Sequence, residues 1–373
     1  MATPRIPVIL LTGFLGSGKT TMLNHLMRDS AGTRIGVIVN DFGSVNIDAL
    51  AVAGQVDSMI PIENGCLCCA VDASEMDDML QRLTDPALRI DVVVIEASGL
   101  AEPQSMIRSL LSSTSERIVY GGLVEVVDAA EFPRTRERHP ELDRHVRAAD
   151  LVVLNKTDRV GEEGRRSVLR VVEEIAPGVP VLTAEHGRVD PALLFDHQPR
   201  TTPEERFRQL SFADLCGAGE DDHSRHLHTA YESLEFTSSE PLNPRRVMDV
   251  LDSRSPGLYR IKGYLHFAGA GGEYKYGLHA VGSFLRFQPV PWEPGEPRTT
   301  QLVMIGTGIN SDNLGKRFAD CVETAPDEVD DRQMMGVLRY VQAEEAEEAD
   351  KSVEPDGSDL FEGADMTGGI SSV

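Results

Sequence analysis

The chain has 373 residues, 41% hydrophobic and 5% aromatic, which fits a soluble globular protein long enough for two separate cores. Its formal net charge of −24 repels phosphate backbones and argues against non-specific nucleic-acid binding. Five cysteines are too few for a disulfide scaffold, no apolar run reaches the ~18 residues of a membrane span, and the start lacks the order of a signal peptide, so a cytoplasmic protein with no membrane partner is expected.

The first apolar run, IPVILLT (6–12), predicts a buried strand that enters GFLGSGKT (13–20). TTMLNHLMRD then predicts a helix with Met22, Leu23, Leu26 and Met27 on one face. Between strand and helix, a glycine-rich loop turns its backbone N–H groups toward phosphate oxygens, and the helix dipole favours the anion. The expected nucleotide contacts are Gly13, Gly16, Ser17, Gly18, Lys19, Thr20 and Thr21. Lys19 reaches the β- and γ-phosphates, and the Thr20 hydroxyl binds Mg²⁺.

Further along, IGVIVN (35–40) predicts a second strand that delivers Asp41. GCLCC (65–69) places Cys66, Cys68 and Cys69 within four residues. Thiolates favour Zn²⁺ and other soft or borderline metals, and three of them leave a position for an exchangeable ligand. A redox pair at Cys68 and Cys69 and plain apolar packing are the competing readings. EMDDMLQRL (75–83) predicts a helix. DVVVIEASG (91–99) predicts a strand ending in Glu96, which suits the magnesium water shell, with Gly99 offering an N–H near the γ-phosphate. GGLVEVVDA (121–129) is a fifth candidate strand. HPELDRH (139–145) holds two histidines and is a weak metal candidate.

DLVVLNKTD (150–158) predicts a strand ending in a base-reading loop. An aspartate there accepts two hydrogen bonds from the N1–H and N2–H₂ of guanine, a pair that adenine does not offer. Asp158 would therefore select GTP, with Asn155 on the guanine or the loop and the Lys156 stem over the ring. SVLRVVEEIAP (167–177) predicts a helix, and TAEHG (183–187) is a weak candidate for a further base contact. Strands alternating with helices imply an α/β domain, here of the P-loop NTPase kind with a mostly parallel sheet, and such sheets bind ligands beyond their carboxyl ends.

The alternation stops near residue 195. The division expected is a nucleotide domain over 1–198, a polar linker over 199–228, a smaller α+β domain over 229–323, and an acidic, mostly disordered tail over 324–373. His223, His226 and His228 in the linker form a possible weak metal-loading site. In the second domain YESLEF, LYRIKGYLHFAG, YGLHAVGSFLRFQPV and TQLVMIGTGI predict strands. NPRRVMDVLDS (243–253) and SDNLGKRFADCVE (311–323) predict helices, the latter capped by Ser311. Cys216 and Cys321 are isolated and expected to be structural.

The series LLTGFLGSGKTT, VNDFG, ENGCLCC, EASGLAEP and NKTD, with EHGRVD and the YLHFAG…VMIGTGI region, resembles the CobW-like metallochaperone GTPases over roughly residues 6–320. That family includes cobalamin-synthesis proteins, zinc-transfer GTPases and nitrile hydratase activators. The resemblance implies slow, Mg²⁺-dependent GTP hydrolysis and delivery of a metal to a client metalloprotein. It implies Cys66, Cys68 and Cys69 as metal ligands, with zinc the commonest cargo and cobalt or iron as variants. Many relatives read NEFGE where this chain reads NDFGS, so Asp41 has a shorter arm and Ser44 stands in place of a glutamate. Water is the expected nucleophile, Asp41 the candidate to orient it, and slow turnover follows from the lack of an obvious arginine finger.

The cysteine loop lies between the phosphate loop and the Glu96 strand, where GTPases carry switch segments. Metal affinity is therefore expected to follow nucleotide state, and linkage makes that coupling reciprocal. A metal-responsive regulator or buffer without cargo delivery is the alternative, and a P-loop kinase a weaker one. A homodimer is compatible with the sequence.

Overall fold

The structure, a computed structural model, describes residues 5–30, 32–39, 59–61, 73–99, 101–195, 231–326 and 329–341. Asp41, Cys66, Cys68, Cys69, Cys216 and the linker histidines lie outside the described residues.

In the first domain the strands are β1 (Ile6–Thr12), β2 (Ile35–Val39), β3 (Met59–Pro61), β4 (Val92–Glu96), β5 (Ile118–Asp128), β6 (Leu151–Asn155) and β7 (Val181–Thr183). They form one seven-stranded sheet in the order β3-β2-β4-β1-β5-β6-β7, and every neighbouring pair is parallel. The connecting helices include α1 (Lys19–Arg28), α2 (Ala73–Leu83), α3 (Pro103–Leu111), α4 (Phe132–Arg138), α5 (Leu142–Ala148), α6 (Glu162–Ile175) and the short α7 (Pro191–Leu194).

Because helices cover both faces, the strands read as unbroken apolar runs and successive residues enter opposite cores. Ile9 and Leu11 share one core with Met22, Leu23 and Leu26 of α1. Val8 and Leu10 share the other with Met76 and Leu80 of α2 and Met106 of α3. The fifth strand starts at Ile118 rather than 121, and its register against β1 shifts between Val8 and Ile9. The helix expected over 167–177 runs from Glu162 to Ile175. Glu162 and Glu163 suit the positive end of its dipole, and Pro177 cannot extend it.

The second domain is a five-stranded antiparallel sheet, β11-β10-β9-β12-β8. Its strands are β8 (Glu232–Ser238), β9 (Leu258–Leu265), β10 (Tyr274–Val281), β11 (Phe284–Pro291) and β12 (Thr300–Gly306). The run YGLHAVGSFLRFQPV is thus two strands with a turn at Gly282 and Ser283. Helix α8 (Pro244–Asp252) is capped by Asn243, whose side chain accepts from Arg245 N and Arg246 N. Helix α9 spans Ser311–Ala319, and its cap is Asn310, not Ser311: the Asn310 side chain accepts from Asn313 N while Ser311 is the first helical residue. It ends before 323 because the chain turns extended to bridge Leu242 at Val322. Cys321 is buried in this core, and burial pushes its thiol up to about 11.

Described structure continues past residue 324, the expected start of the tail. A short 3₁₀ turn, Asp331–Met334, leads into α10 (Met335–Leu338). Met334 and fully buried Val337 belong to the second core, and Phe287 N donates to Tyr340 O. No helix among the described residues is long and apolar enough to cross a membrane.

The domains meet at the amino ends of β5, β6 and β7. Tyr120 Oη and Leu123 N both donate to Asp150 Oδ2, at 2.5 and 2.9 Å. His279 Nε2 lies 2.8 Å from Tyr120 O, and Val181 N donates to Thr307 Oγ1 at 3.1 Å. Burial raises both the Tyr120 hydroxyl and the Asp150 carboxyl above their ordinary ranges, while their mutual bond lowers the carboxyl. Gly282 closes this joint: its φ is +51°, and a Cβ would lie 1.5 Å from Asp150 Oδ1.

Gly282→Ala is therefore expected to lower stability by about 2 kcal/mol or more. Gly295→Ala, at φ +82° with no described atom within 4 Å of its Cβ position, is expected to cost only about 1 kcal/mol. Thermal unfolding of both variants checks this, and equal costs would contradict the steric reading of the joint.

Candidate functional site

β1 delivers the chain to a loop over residues 13–18, and α1 begins at Lys19. The loop lies directly on β5: a Cβ on Gly13, at φ +141°, would stand 2.3 Å from Val126 O. Gly18 is left-handed at φ +105°, and a Cβ there would stand 2.3 Å from Asn155 Nδ2. Both positions exclude side chains, which is how the backbone comes to line the cradle. Ser17 Oγ is buried inside it with no hydrogen-bond partner among the described residues. Lys19 Nζ arches over the loop and donates to Gly13 O at 2.8 Å and Phe14 O at 3.4 Å. Gly16 sits at the exposed rim, and Thr21 is exposed on the first turn of α1.

The pairing of Leu11 with Glu96 in adjacent strands carries that carboxylate to the loop. Thr20 Oγ1 donates to Glu96 Oε1 at 2.6 Å. A hydroxyl and a carboxylate meeting at a helix N-terminus are the hard oxygen donors that Mg²⁺ takes beside phosphate oxygens. Gly99 follows closely, since a Cβ on it would lie 2.7 Å from Leu15 N.

Asn155 ends β6 and is only 1% exposed. Its Nδ2 donates to Ser17 O at 2.9 Å, and its Oδ1 accepts from Gly187 N at 2.9 Å. Of the two partners left open by the sequence, guanine or the loop, its amide takes the loop. Lys156, at φ +59°, donates to Gly16 O at 2.5 Å and to Asp128 Oδ2 at 2.8 Å. Thr157 Oγ1 donates to Ala184 O at 3.0 Å. Asp158 is exposed beside this junction, its Oδ2 3.9 Å from His186 Nε2. The phosphate loop, Glu96, Gly99 and residues 155–158 are thus gathered at the carboxyl ends of β1, β4 and β6.

Two acids here were missed in the sequence. Asp128, at the end of β5, accepts from Ala130 N and Glu131 N through Oδ1 and anchors Lys156 through Oδ2. Glu125 is buried beneath the loop, where Thr12 Oγ1 donates to its Oε2 at 2.6 Å. Burial pushes Glu125 up to about 7, against the Thr12 bond and the charge of Lys19. A lone glutamate inside the apolar run GGLVEVVDA was the available signal. A cavity of about 280 Å³ behind the loop is lined by Phe14, Ser17, Glu125, Asp128, Phe132 and Lys156, among others.

Among the described residues no three His, Cys, Asp or Glu side chains form a metal cluster. In 139–145 the histidines face different carboxylates: His139 Nδ1 lies 3.0 Å from Glu141, and His145 Nε2 lies 3.7 Å from Glu102.

A family model described as CobW/HypB/UreG, nucleotide-binding domain, matches residues 7–183. The cobalamin synthesis protein cobW C-terminal domain model matches residues 231–322. The zinc chaperone CobW of Sinorhizobium sp is 30% identical over 335 residues, covering 81% of this chain and 93% of that relative. The zinc chaperone YjiA of Escherichia coli (strain K12) is 34% identical over 197 residues, covering 51% of this chain and 61% of YjiA. A crystal structure of Zn(II)-bound YjiA GTPase from E. coli aligns at 23% identity with a TM-score of 0.41, covering 86% of this chain and 100% of that one.

Asn155→Ala leaves Ser17 O and Gly187 N without their partner, at an expected cost of about 1–3 kcal/mol in stability. Because the same change frees the loop, GDP affinity is expected to fall by about tenfold or more in a fluorescence titration. Unchanged affinity with reduced stability would show the bracket to be structural alone.

Proposed function

The chain belongs to the CobW family of P-loop GTPases, and from that premise we propose that it is a zinc chaperone that ties cargo release to GTP hydrolysis. The observation that carries the nucleotide part is the Asn155 bracket. It fixes the phosphate loop and the NKTD turn to each other, so that one rigid surface offers Lys19 to phosphates and Asp158 to a base.

In this reading GTP lies across the loop with its phosphates at the N-terminus of α1. Gly13, Gly16, Ser17, Gly18 and Thr21 bound the phosphates, and Lys19 exchanges its loop carbonyls for β- and γ-phosphate oxygens. The buried Ser17 hydroxyl, without a partner among the described residues, is available to the nucleotide. Asp158 accepts from the guanine edge, and Lys156, held by Gly16 O and Asp128, extends under the ring. Thr20 and Glu96 would hold Mg²⁺, which offsets the charge that builds on the transferring phosphoryl group. Gly99 sets its N–H near the γ-phosphate, and Asp41 orients the attacking water.

Zinc is the cargo rather than a resident cofactor in this scheme. Cys66, Cys68 and Cys69 hold it as thiolates, a donor set that also takes Co²⁺ or Fe²⁺. They stand in the stretch between β3 and α2, in the chain order of a nucleotide-sensing segment. GTP favours the tight-binding, client-competent state, and hydrolysis loosens it so that the metal passes to a client metalloprotein. A reducing cytoplasm keeps the thiols ready. The relatives named zinc chaperones support zinc over the other metals.

Stopped-flow detection of zinc release across a single turnover tests the coupling. Release is expected to track phosphate formation with GTP and to be at least about tenfold slower with a non-hydrolysable analogue. Equal release with both nucleotides would overturn the coupling.

A further inference from the structure

Glu125 is an acid beneath a loop built for anions. Its backbone neighbour Val126 carries the carbonyl against which Gly13 rests, and β-sheet register sets Glu125 opposite Thr12, the last residue before the loop. It is 2% exposed, and the Thr12 hydroxyl is held on its Oε2.

Among the described residues, the charged groups around it come from three elements. Lys19 stands at the start of α1. Asp128 and Glu131 follow on from β5 around the shared cavity, and Lys156 and Arg159 reach that cavity from the NKTD turn. These last two cations face Asp128, at 2.8 and 3.9 Å. The neighbouring strands add only uncharged Thr12 from β1 and Val152 from β6. Among the described residues Lys19 is therefore the charge that steadies an ionised Glu125, and burial works against it.

Nucleotide binding changes this balance. Resting on the reading of the loop as a GTP site, the phosphates share the charge of Lys19 and add negative charge of their own above Glu125. Both changes favour the neutral acid. We propose that Glu125 is a proton-coupled positioning residue, which takes one proton from solvent when GDP or GTP fills the loop and returns it when the nucleotide leaves. The carboxylate gains an O–H bond, and no other bond is made or broken. The cavity behind the loop gives solvent a route to it. As an anion, Glu125 holds Lys19 back over the empty loop. As an acid it keeps the Thr12 bond and no longer opposes the phosphates.

The sign follows from linkage. Below the value of the free protein, near 7, Glu125 is already protonated and adds no pH dependence to binding. Above it, each pH unit weakens binding by up to about tenfold, until the higher value of the bound state is passed.

Calorimetric GDP titrations of the full chain and of Glu125→Gln, in buffers of unlike ionisation heat, test this. Between about pH 6.5 and about pH 8.5, wild-type affinity is expected to fall on the order of tenfold more than that of the variant, which subtracts the titration of GDP itself. Near pH 8 the wild type is expected to take up close to one proton more than the variant. Identical pH slopes and proton counts would overturn the proposal. If Glu125→Gln does not fold, the wild type decides alone: absence of proton uptake at pH 8 overturns the proposal, and uptake near one proton supports it. A wild type that binds no GDP at any pH overturns the nucleotide site, and this proposal with it. GDP binding without proton uptake overturns the proposal and leaves the site standing.

Discussion

Asn155 uses both ends of one buried amide, donating to Ser17 O and accepting from Gly187 N. Three segments far apart in the chain depend on it: the phosphate loop, the NKTD turn and the loop after β7. In a dry site such bonds are strong when paired, and each lost partner leaves a buried polar group uncompensated. Around this bracket, Lys156 clips Gly16 to Asp128 and Thr157 clips the turn to Ala184. The parallel sheet makes the arrangement possible, because every strand delivers its carboxyl end to the same edge.

The second domain is held at the other edge. Its bonds to Tyr120 and Val181, and the close approach of Gly282 to Asp150, fall at the amino ends of β5, β6 and β7. The segment after β7 serves both the nucleotide site and domain docking, since Gly187 N donates to Asn155 while Asp190 and Leu194 O accept from Tyr231 and Arg260 of the second domain. β5 carries both, with Tyr120 at one end and Glu125 and Asp128 at the other.

Much of the fold was legible because buried parallel strands are unbroken apolar runs, and β1, β2, β4 and β6 each lie within one. The loop was legible because its glycines and Lys19 are adjacent in sequence. What escaped were facts of distant pairing. Nothing local shows that the Asn155 amide will find Ser17 rather than a base, or that Glu125 in the middle of a strand will face Thr12. Local competition misled at the cap of α9, where Asn310 and Ser311 are both good caps and geometry chose Asn310. The stretch 329–341 lies next to the acidic run that follows it, and nothing local shows that Met334 and Val337 reach back into the second core.

Zinc affinity measured by competition with a chelator, in the presence of GDP and of a GTP analogue, bears most directly on the joining of nucleotide to metal. It needs wild type and the variant Cys66→Ser, Cys68→Ser, Cys69→Ser. A GTP-controlled carrier should bind zinc at least about tenfold more tightly with the analogue, and lose that difference without the thiols. Affinity that ignores the nucleotide, or that survives removal of all three thiols, would leave a GTPase whose cysteines serve some other purpose.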